Sequence, residues 1–412
     1  MPIPRALGWA NALGRGLARI GVRPSLEEES LLRAARRVTR LSDLGDEEFR
    51  APLRRLLQSY EEEAPLSPAG RLLKRIDLVD MLANRLRVQR QITRRPEILE
   101  EPVRSPLIVT GLPRTGTTLL QRLLSLDPDA RPLLTWEAMW PAPVSRRRTG
   151  REDSRIGHAR RLVWIVRRVL PGIDRIHPLD PEGPEECTRL LDSAFRWAYF
   201  AVENRLPGYA AWLESEGPDV MVPAYRWYAT QLQVLQSQRS PGGRWVLKSP
   251  AHLGILSPLL SVIPDARIVV TVRDPRETVA SACSLFALLH GTTAADERTS
   301  RIGPGVAASL ARALTRGLET AAREPDRVRV VRYEDLVDRP VETLREIHAG
   351  FGIPFPAALE TAARAWLEAN PQGRHGIHHY DLESYGLDEE TVVRLFEAPE
   401  LVMRRIGRSS RK

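Results

Sequence analysis

The spacing of hydrophobic residues changes near residue 100 of this 412-residue chain. Before that point, apolar residues recur every three or four positions, which is typical of amphipathic helices. The longest such pattern follows Ser67-Pro68, where a capping residue precedes a proline at the first helical position. Pro96 and Pro102 then interrupt the helical pattern. We therefore predict an N-terminal helical region over residues 1–101 and a core domain over residues 102–412.

Beyond Pro102, short continuous apolar runs alternate with helical patterns. Continuous runs are typical of strands buried on both faces, and their alternation with helices is typical of a parallel sheet covered on both sides. The strand candidates are Leu107 to Thr110, Arg244 to Leu247, Ala266 to Val272 and Val328 to Arg332. The predicted fold class is therefore α/β, a parallel β-sheet flanked by helices.

The first predicted strand leads into a glycine loop, Gly111-Leu-Pro-Arg-Thr-Gly116, after which Thr117 opens a helical pattern. Unpaired N–H groups and the positive end of the helix dipole favour an anion at such a helix start. The spacing matches a Walker A loop, but Thr117 occupies the lysine position of that loop. That lysine neutralises the β- and γ-phosphates of a nucleoside triphosphate. Without the lysine, the glycine loop of this predicted P-loop-type sheet suits a group with less charge than a triphosphate. Arg114 inside the loop could supply a planar set of donors to a phosphate or sulfate oxygen.

Polar residues follow each of the other predicted strands. Lys248 follows the second, Arg273 follows the third with Ser281 about two turns into the next helix, and Tyr333 follows the fourth. In open α/β sheets, ligands bind at the carboxyl ends of the strands. We therefore expect these residues and the glycine loop to share one edge of the sheet.

Glu137 is the carboxylate candidate for acid–base chemistry. It lies in the segment Trp136-Glu-Ala-Met-Trp140, whose aromatic side chains suit a carboxyl group to proton transfer. A surface or helix-capping role is the competing interpretation, since catalytic roles are the rarer use of such a residue.

Composition restricts the class of protein. With 42% hydrophobic and 27% charged residues, the chain has the make-up of an ordinary soluble protein. The sequence lacks the run of about eighteen apolar residues that could span a bilayer. The stretch from Met1 to Val22 lacks the continuous apolar core of a signal peptide. We therefore expect a cytoplasmic protein with no integral membrane segment.

Charge and cysteine content exclude two further kinds of site. The net charge of +9 comes from arginines spread along the chain, whereas nucleic-acid binding would favour a concentrated basic stripe. Cys187 and Cys283 have no metal-ligand spacing and are predicted to be buried thiols. We predict neither a nucleic-acid partner nor a metal site. The sequence leaves the oligomeric state open.

Two motifs together resemble the PAPS-dependent sulfotransferase family, where PAPS is 3′-phosphoadenosine-5′-phosphosulfate. They are Pro113-Arg-Thr-Gly-Thr-Thr118 and Val272-Arg-Asp274 with Ser281. The likeness runs from Pro102 to near Leu387 and is closest to the bacterial branch that resembles tyrosylprotein sulfotransferases. It implies transfer of a sulfuryl group from PAPS to a hydroxyl of a small-molecule, lipid or saccharide acceptor. The implied product is adenosine 3′,5′-bisphosphate, and no metal is required.

The resemblance also implies roles for individual residues. A first group cradles the 5′-phosphosulfate: Arg114, Thr115, Gly116, Thr117 and Thr118. A second group holds the 3′-phosphate and nucleotide: Arg273, Ser281, Tyr333, Arg374, His375 and His379. Lys248 donates to the bridging oxygen and Glu137 is the base, although Glu137 lies two residues further from the loop than the family pattern places it. His177 and His252 are rival bases, because the cytosolic branch of the family uses histidine.

Two other functions remain open at this point. The chain could be a P-loop nucleotide or small-molecule kinase, or a nucleotide-binding protein without activity. The missing loop lysine opposes the kinase, as does the position of Asp274, which follows Arg273 outside the strand and makes a poor Walker B carboxylate.

Overall fold

A parallel sheet of five strands forms the centre of the protein, in a computed structural model of the chain. The structure describes residues 11–12, 14–16, 19, 23–144, 153–169, 173–176, 178–197, 200–201, 204–239, 243–293, 302–371 and 382–409. The strands are β1 (Leu107–Gly111), β2 (Ala130–Pro132), β3 (Arg244–Lys248), β4 (Arg267–Val272) and β5 (Val328–Arg332). Their order across the sheet is β2-β3-β1-β4-β5. The predicted α/β fold with a P-loop-type parallel sheet is therefore confirmed.

Helices precede, connect and follow the strands. Those before β1 are α1 (Glu28–Thr39), α2 (Arg50–Glu62) and α3 (Pro68–Arg94). Those between β1 and β3 are α4 (Thr117–Leu124), α5 (Thr135–Met139), α6 (Ser154–Val169), α7 (Ile173–Ile176), α8 (Arg189–Asp192), α9 (Pro207–Ser215) and α10 (Val222–Gln236). The remainder are α11 (Leu256–Val262), α12 (Pro275–Thr293), α13 (Gly303–Arg323), α14 (Tyr333–Asp338), α15 (Pro340–Gly350), α16 (Ala357–Ala369), α17 (Glu389–Leu395) and α18 (Glu397–Ser409). Short 3₁₀ turns occupy Pro96–Glu100, Pro218–Met221, Pro250–Ile255 and Glu383–Tyr385.

The central strand β1 sets the position of the site. All its residues are buried, as expected for a strand covered on both faces. Val109 pairs in register with Lys248 of β3, and Gly111 pairs with Thr271 of β4. The carboxyl ends of β3 and β4 therefore flank the start of the glycine loop.

The N-terminal helices pack into the same core as the sheet. The predicted cap is confirmed: the Ser67 hydroxyl accepts the N–H of Gly70 at 3.0 Å, and Pro68 is the first residue of α3. One hydrophobic cluster contains Leu31 and Leu82 from this region together with Leu247 and Ile268 from the sheet. The boundary between residues 101 and 102 remains a prediction.

Two segments differ from the sequence prediction. Strand β2 was not predicted, because it has only three residues and ends in Pro132. Its Arg131 is buried with the guanidinium 3.7 Å from the Trp245 ring centroid, so a tertiary contact stabilises it. The acidic pair Glu185-Glu186 after Pro184 is typical of a helix start and predicts a helix opening at Glu185, but the helix begins instead at Arg189, which leaves residues 184–188 as an irregular segment.

Candidate active site

The glycine loop has a backbone that few residues can adopt. Arg114 has φ 69° and Gly116 has φ 85°, both in the left-handed region. A Cβ atom at Gly116 would lie 3.0 Å from side-chain carbons of both Tyr333 and Leu336, so the loop rests directly on α14. Gly116 is also the N-cap of α4, and no side chain in the described chain caps that helix. The first-turn N–H groups of α4 are therefore available to an anion.

Thr115 differs from the rest of the loop because its hydrogen bonds are made to other residues of the protein. Its side chain is buried and contacts the Thr271 hydroxyl at 2.6 Å and the Leu112 carbonyl at 2.7 Å. Its N–H also donates to the Leu112 carbonyl at 3.3 Å. Phosphosulfate binding by Thr115 remains a prediction, and these contacts favour a role in holding the loop against β4.

Arg273 reaches from the end of β4 to the loop. Its Nη1 donates to the Arg114 carbonyl at 3.3 Å, and its guanidinium lies 4.1 Å from the Tyr333 ring centroid. Its carboxylate partner is Glu277, in the first turn of α12. The structure thus brings together Arg114, Arg273 and Tyr333, three residues that the sequence analysis assigned to the site.

A cleft of about 630 Å³ opens beside Arg273 at the ends of β4 and β5. Its volume falls within the range of small-molecule sites. The strand ends contribute Arg273, Asp274, Pro275, Arg332 and Glu334, and the C-terminal helix region contributes Phe396, Glu400, Met403 and Arg404. Ser281 is buried in α12 and is not one of the residues that line this cleft. Its contact with a 3′-phosphate remains a prediction.

Lys248 at the end of β3 forms a buried ion pair that the sequence did not indicate. Its Nζ lies 2.7 Å from Glu186 Oε1, and the Lys248 side chain is 3% exposed whereas that of Glu186 is 27% exposed. The other carboxylate oxygen of Glu186 accepts from the Thr188 hydroxyl at 3.4 Å. Glu186 thus contacts the buried Lys248 cation at the sheet edge and is itself partly exposed to solvent.

The irregular segment 184–188 is fixed between the loop helix and β3. Gln121 of α4 donates to the Glu185 carbonyl at 3.1 Å, and the Cys187 N–H donates to the Lys248 carbonyl at 2.9 Å. The Thr188 and Ser249 hydroxyls are 2.6 Å apart. These contacts hold Glu186 next to the helix that follows the glycine loop.

His252 lies behind Lys248 in a closed polar cluster. Its ring nitrogens contact the Tyr225 hydroxyl at 2.9 Å and the Cys187 Sγ at 3.2 Å. Burial lowers the pKa of the imidazole to about 3 and raises the pKa of the Cys187 thiol to about 12. His252 has no exposed surface, which favours a structural role over the rival base considered from the sequence. Both cysteines are free and buried, as predicted.

Glu137 is buried and its carboxylate already has partners. One oxygen accepts the Leu134 N–H at 3.1 Å, and the other lies 3.3 Å from Arg131 and 3.5 Å from Arg239. Burial lowers the pKa of Arg131 to about 10. The side chain is 1% exposed, so an acceptor hydroxyl has no open path to it in this conformation. These contacts match the helix-capping alternative, and they do not support Glu137 as a free base.

Several predicted residues lie outside the described residues: His177, Arg374, His375 and His379. Within the described part of the chain, no three histidine, cysteine or acidic side chains are grouped in a way that could hold a metal ion. None of the described helices has the length and apolar character of a membrane span.

Sequence reasoning missed Glu186 as a functional candidate. The signal was the acidic pair Glu185-Glu186 after Pro184, which was interpreted as the acidic first turn of a helix. The pairing with Lys248 depends on residues 62 positions apart, so local patterns could not reveal it.

The glycine loop carries Arg114, β3 ends in Lys248 and β4 is followed by Arg273, a set of cationic groups at one edge of a P-loop-type sheet. The sulfotransferase family model matches residues 106–357. Since this match covers more than half of the chain, the protein belongs to the sulfotransferase family.

The individual relatives described next share less than 30% sequence identity with this chain. The omega-hydroxy-beta-dihydromenaquinone-9 sulfotransferase of Mycobacterium tuberculosis is 26% identical over 265 residues, which cover 60% of this chain and 63% of that protein. The chain therefore spans less than two thirds of the length of this relative. The crystal structure of sulfotransferase STF9 from Mycobacterium avium has a TM-score of 0.79 at 29% identity, covering 91% of this chain and 96% of that one. Sulfotransferase STF1 from Mycobacterium tuberculosis has a TM-score of 0.76 at 28% identity, covering 90% and 98%.

Proposed function

We propose that this protein transfers a sulfuryl group from PAPS to a hydroxyl of a lipid or other small-molecule acceptor. The observation that carries the proposal is the Lys248–Glu186 pair, 2.7 Å apart at the edge of the sheet where the glycine loop begins. Family membership supports a sulfate donor. The mycobacterial relative, whose name specifies a hydroxylated menaquinone, supports a lipid acceptor.

The donor set at the loop fits the two anionic ends of PAPS. The 5′-phosphosulfate would accept hydrogen bonds from Arg114 and from the N–H groups of Gly116, Thr117 and Thr118. Arg273 would hold the 3′-phosphate by charge-assisted hydrogen bonds, which are shorter and stronger than neutral ones. Its present partner Glu277 is 56% exposed, so exchanging that carboxylate for a phosphate has a small cost. Arg374, His375 and His379 remain additional candidates at the 3′-phosphate.

The chemistry requires removal of one proton and stabilisation of one leaving oxygen. Glu186 would accept the proton of the acceptor hydroxyl as the new O–S bond forms. The bond between sulfur and the 5′-phosphate oxygen breaks with its electron pair on that oxygen. Lys248 would donate a hydrogen bond to this leaving oxygen, with Arg114 balancing the remaining charge. Preorganised donors of this kind contribute most where water is excluded, and Lys248 is 3% exposed.

We assign the general base to Glu186 and propose that Glu137 stabilises the turn between β2 and α5. Glu186 has one carboxylate oxygen on Lys248 and a partly exposed side chain. Glu137 has no exposed carboxylate. The catalytic role predicted for Glu137 from the sequence is therefore the competing assignment, and one pair of variants separates the two.

The test is a transfer assay with ³⁵S-labelled PAPS against a library of hydroxyl compounds that includes lipid alcohols. Glu186→Gln should lower kcat by about a hundredfold or more, as loss of a general base does, without lowering affinity for adenosine 3′,5′-bisphosphate. Glu137→Gln should lower the melting temperature and change kcat much less. The reverse result, with turnover lost only in Glu137→Gln, would return the base role to Glu137. An absence of labelled product from every acceptor and from a cell extract would remove the proposed activity.

A further inference from the structure

Helix α6 exposes apolar and basic side chains on one face. Trp164 is 59% exposed and Ile165 is 42% exposed, and the exposed Arg161 and Arg168 lie within one turn of them. We call these residues, Arg161, Trp164, Ile165 and Arg168, the α6 face. The opposite side of the helix is buried through Arg155, Ala159 and Val163. The helix is therefore anchored by one side, and the α6 face points away from the protein.

In the part of the chain that the structure describes, the arginines of the α6 face differ from their neighbours in having no carboxylate partner. Arg160 pairs with Glu182 and Arg167 pairs with Asp174, each at 2.7 Å. Within the described residues, neither Arg161 nor Arg168 forms an ion pair, and the Arg168 guanidinium lies 5.2 Å from the Trp164 ring centroid. Among the described residues, no carboxylate therefore neutralises the positive charge on this face.

We propose that the α6 face docks on the surface of an anionic lipid bilayer. Tryptophan favours the headgroup level of a membrane, and arginines bind lipid phosphates while their stems remain in the apolar layer. A helix with basic residues around an exposed tryptophan lies in the plane of the interface. Two apolar side chains are too few for a stable protein interface, which requires about 1,000 Å² of buried surface. The charge and the small apolar area together favour lipid over protein.

The docked helix would bring the bilayer towards the active site. Arg160 of α6 binds Glu182, and Arg167 donates to the Leu179 carbonyl at 2.7 Å. The same segment continues to Glu186 four residues after Glu182. If the proposed function holds, α6 positions the membrane next to the residues that receive an acceptor hydroxyl. The acceptor class is then a lipid alcohol that stays in the bilayer.

The test is vesicle flotation of the full chain, without donor or acceptor. Vesicles contain phosphatidylcholine alone or phosphatidylcholine with phosphatidylglycerol. We expect binding to the anionic vesicles only. Arg161→Ala with Arg168→Ala should weaken that binding by about twenty-five-fold, at about fivefold for each arginine near an anionic surface. Trp164→Ala should also weaken it, by about tenfold.

A matched control removes the same charge elsewhere. Arg33 and Arg37 are exposed one turn apart on α1. Arg33→Ala with Arg37→Ala should change vesicle binding by less than about twofold, given that membrane attraction falls off within a Debye length. Equal losses in both double variants would mean attraction by net charge alone and would overturn the proposal. Absence of vesicle binding by the unmodified chain would also overturn it. So would a result in which the unmodified chain self-associates and Trp164→Ala abolishes that self-association but does not change vesicle binding.

The docking result is independent of catalysis. The α6 face variants should retain normal turnover with a detergent-dispersed acceptor, because none of their residues belongs to the proposed catalytic set. Vesicle binding without sulfuryl transfer would leave the docking surface in place and refute the proposed function. Sulfuryl transfer without vesicle binding would support the proposed function and refute the docking surface.

Discussion

A Walker A loop contains a lysine, whereas in this protein the lysine nearest in position, Lys248, lies at the end of a neighbouring strand. Thr117 occupies the lysine position of the loop, while Lys248 ends β3, its Cα paired in register with Val109 of β1. A lysine on the loop reaches the terminal phosphates of a triphosphate. A lysine on the neighbouring strand, held by Glu186, is suited to a single leaving oxygen. Under the proposed function, the departure from the Walker pattern moves the lysine to the position that the leaving oxygen requires.

Arg273 provides a direct test of the donor site. Arg273→Ala should weaken binding of adenosine 3′,5′-bisphosphate by about 2 kcal/mol, or roughly thirtyfold, since a charge-assisted hydrogen bond is lost. Titration calorimetry without Mg²⁺ measures this change. Arg276→Ala is the matched control, because Arg276 is 49% exposed and pairs with Asp274.

The same titration distinguishes the kinase alternative. An unchanged dissociation constant in Arg273→Ala would remove this residue from the site. If the unmodified chain bound ATP with Mg²⁺ and not the bisphosphate, a kinase would replace the sulfotransferase as the proposed function.

His252 should make the folded state sensitive to acid. Its pKa is lowered by burial to about 3 from an ordinary value of 6.5, so below pH 6.5 the unfolded chain binds a proton that the folded chain does not. Stability should therefore fall as pH decreases from 6.5 towards 3. The measurement is the melting temperature across this range in the unmodified chain and in His252→Gln. The variant should melt at a lower temperature near neutral pH but show a shallower dependence on pH. Parallel curves would mean that His252 does not titrate between the two states.

The glycine loop and α14 form one packed element. Gly116 has a left-handed backbone, and a Cβ there would lie 3.0 Å from carbons of Tyr333 and Leu336. Gly116→Ala should therefore destabilise the fold by about 1–2 kcal/mol and weaken bisphosphate binding. Gly157→Ala in α6 is the control, since a Cβ at Gly157 meets nothing within 4 Å. It should be neutral or stabilising by about 0.5–1 kcal/mol in urea denaturation. Equal stability of the two variants would contradict the packing argument.

The parts of the site that depend on neighbouring residues were predictable from the sequence, and the parts that depend on distant contacts were not. Continuous apolar runs predicted four strands, and the glycine spacing predicted the loop, because these patterns depend on neighbouring residues. Strand β2 and the segment 184–188 depend on distant contacts, such as Gln121 with the Glu185 carbonyl. Glu137 was interpreted from its aromatic neighbours in sequence, whereas its carboxylate contacts Arg131, Arg239 and a backbone N–H.

The N-terminal helices are joined to the α/β region by a buried arginine. The Arg85 guanidinium of α3 lies between the rings of Phe49 and Trp227, 4.4 Å and 4.2 Å from their centroids. It also donates to the Leu44 carbonyl and to Asp46 Oδ1, each at 2.9 Å. Trp227 belongs to α10, so this contact connects the two regions assigned separately from the sequence. We expect the two regions to unfold together.

Arg85→Ala tests this coupling across the whole molecule. The unmodified chain should unfold in a single calorimetric transition, because its two regions share one hydrophobic cluster. Arg85→Ala should lower the stability of that entire transition by about 3 kcal/mol, through loss of two cation–π contacts and of packing between the rings. Arg54→Ala is the control: Arg54 is 63% exposed and pairs with Glu28, so its loss should cost about 0.5 kcal/mol or less. Two separate transitions, with only the first moved by Arg85→Ala, would instead show that residues 1–101 form an independent domain, contrary to the helical region packed on the core that we predict.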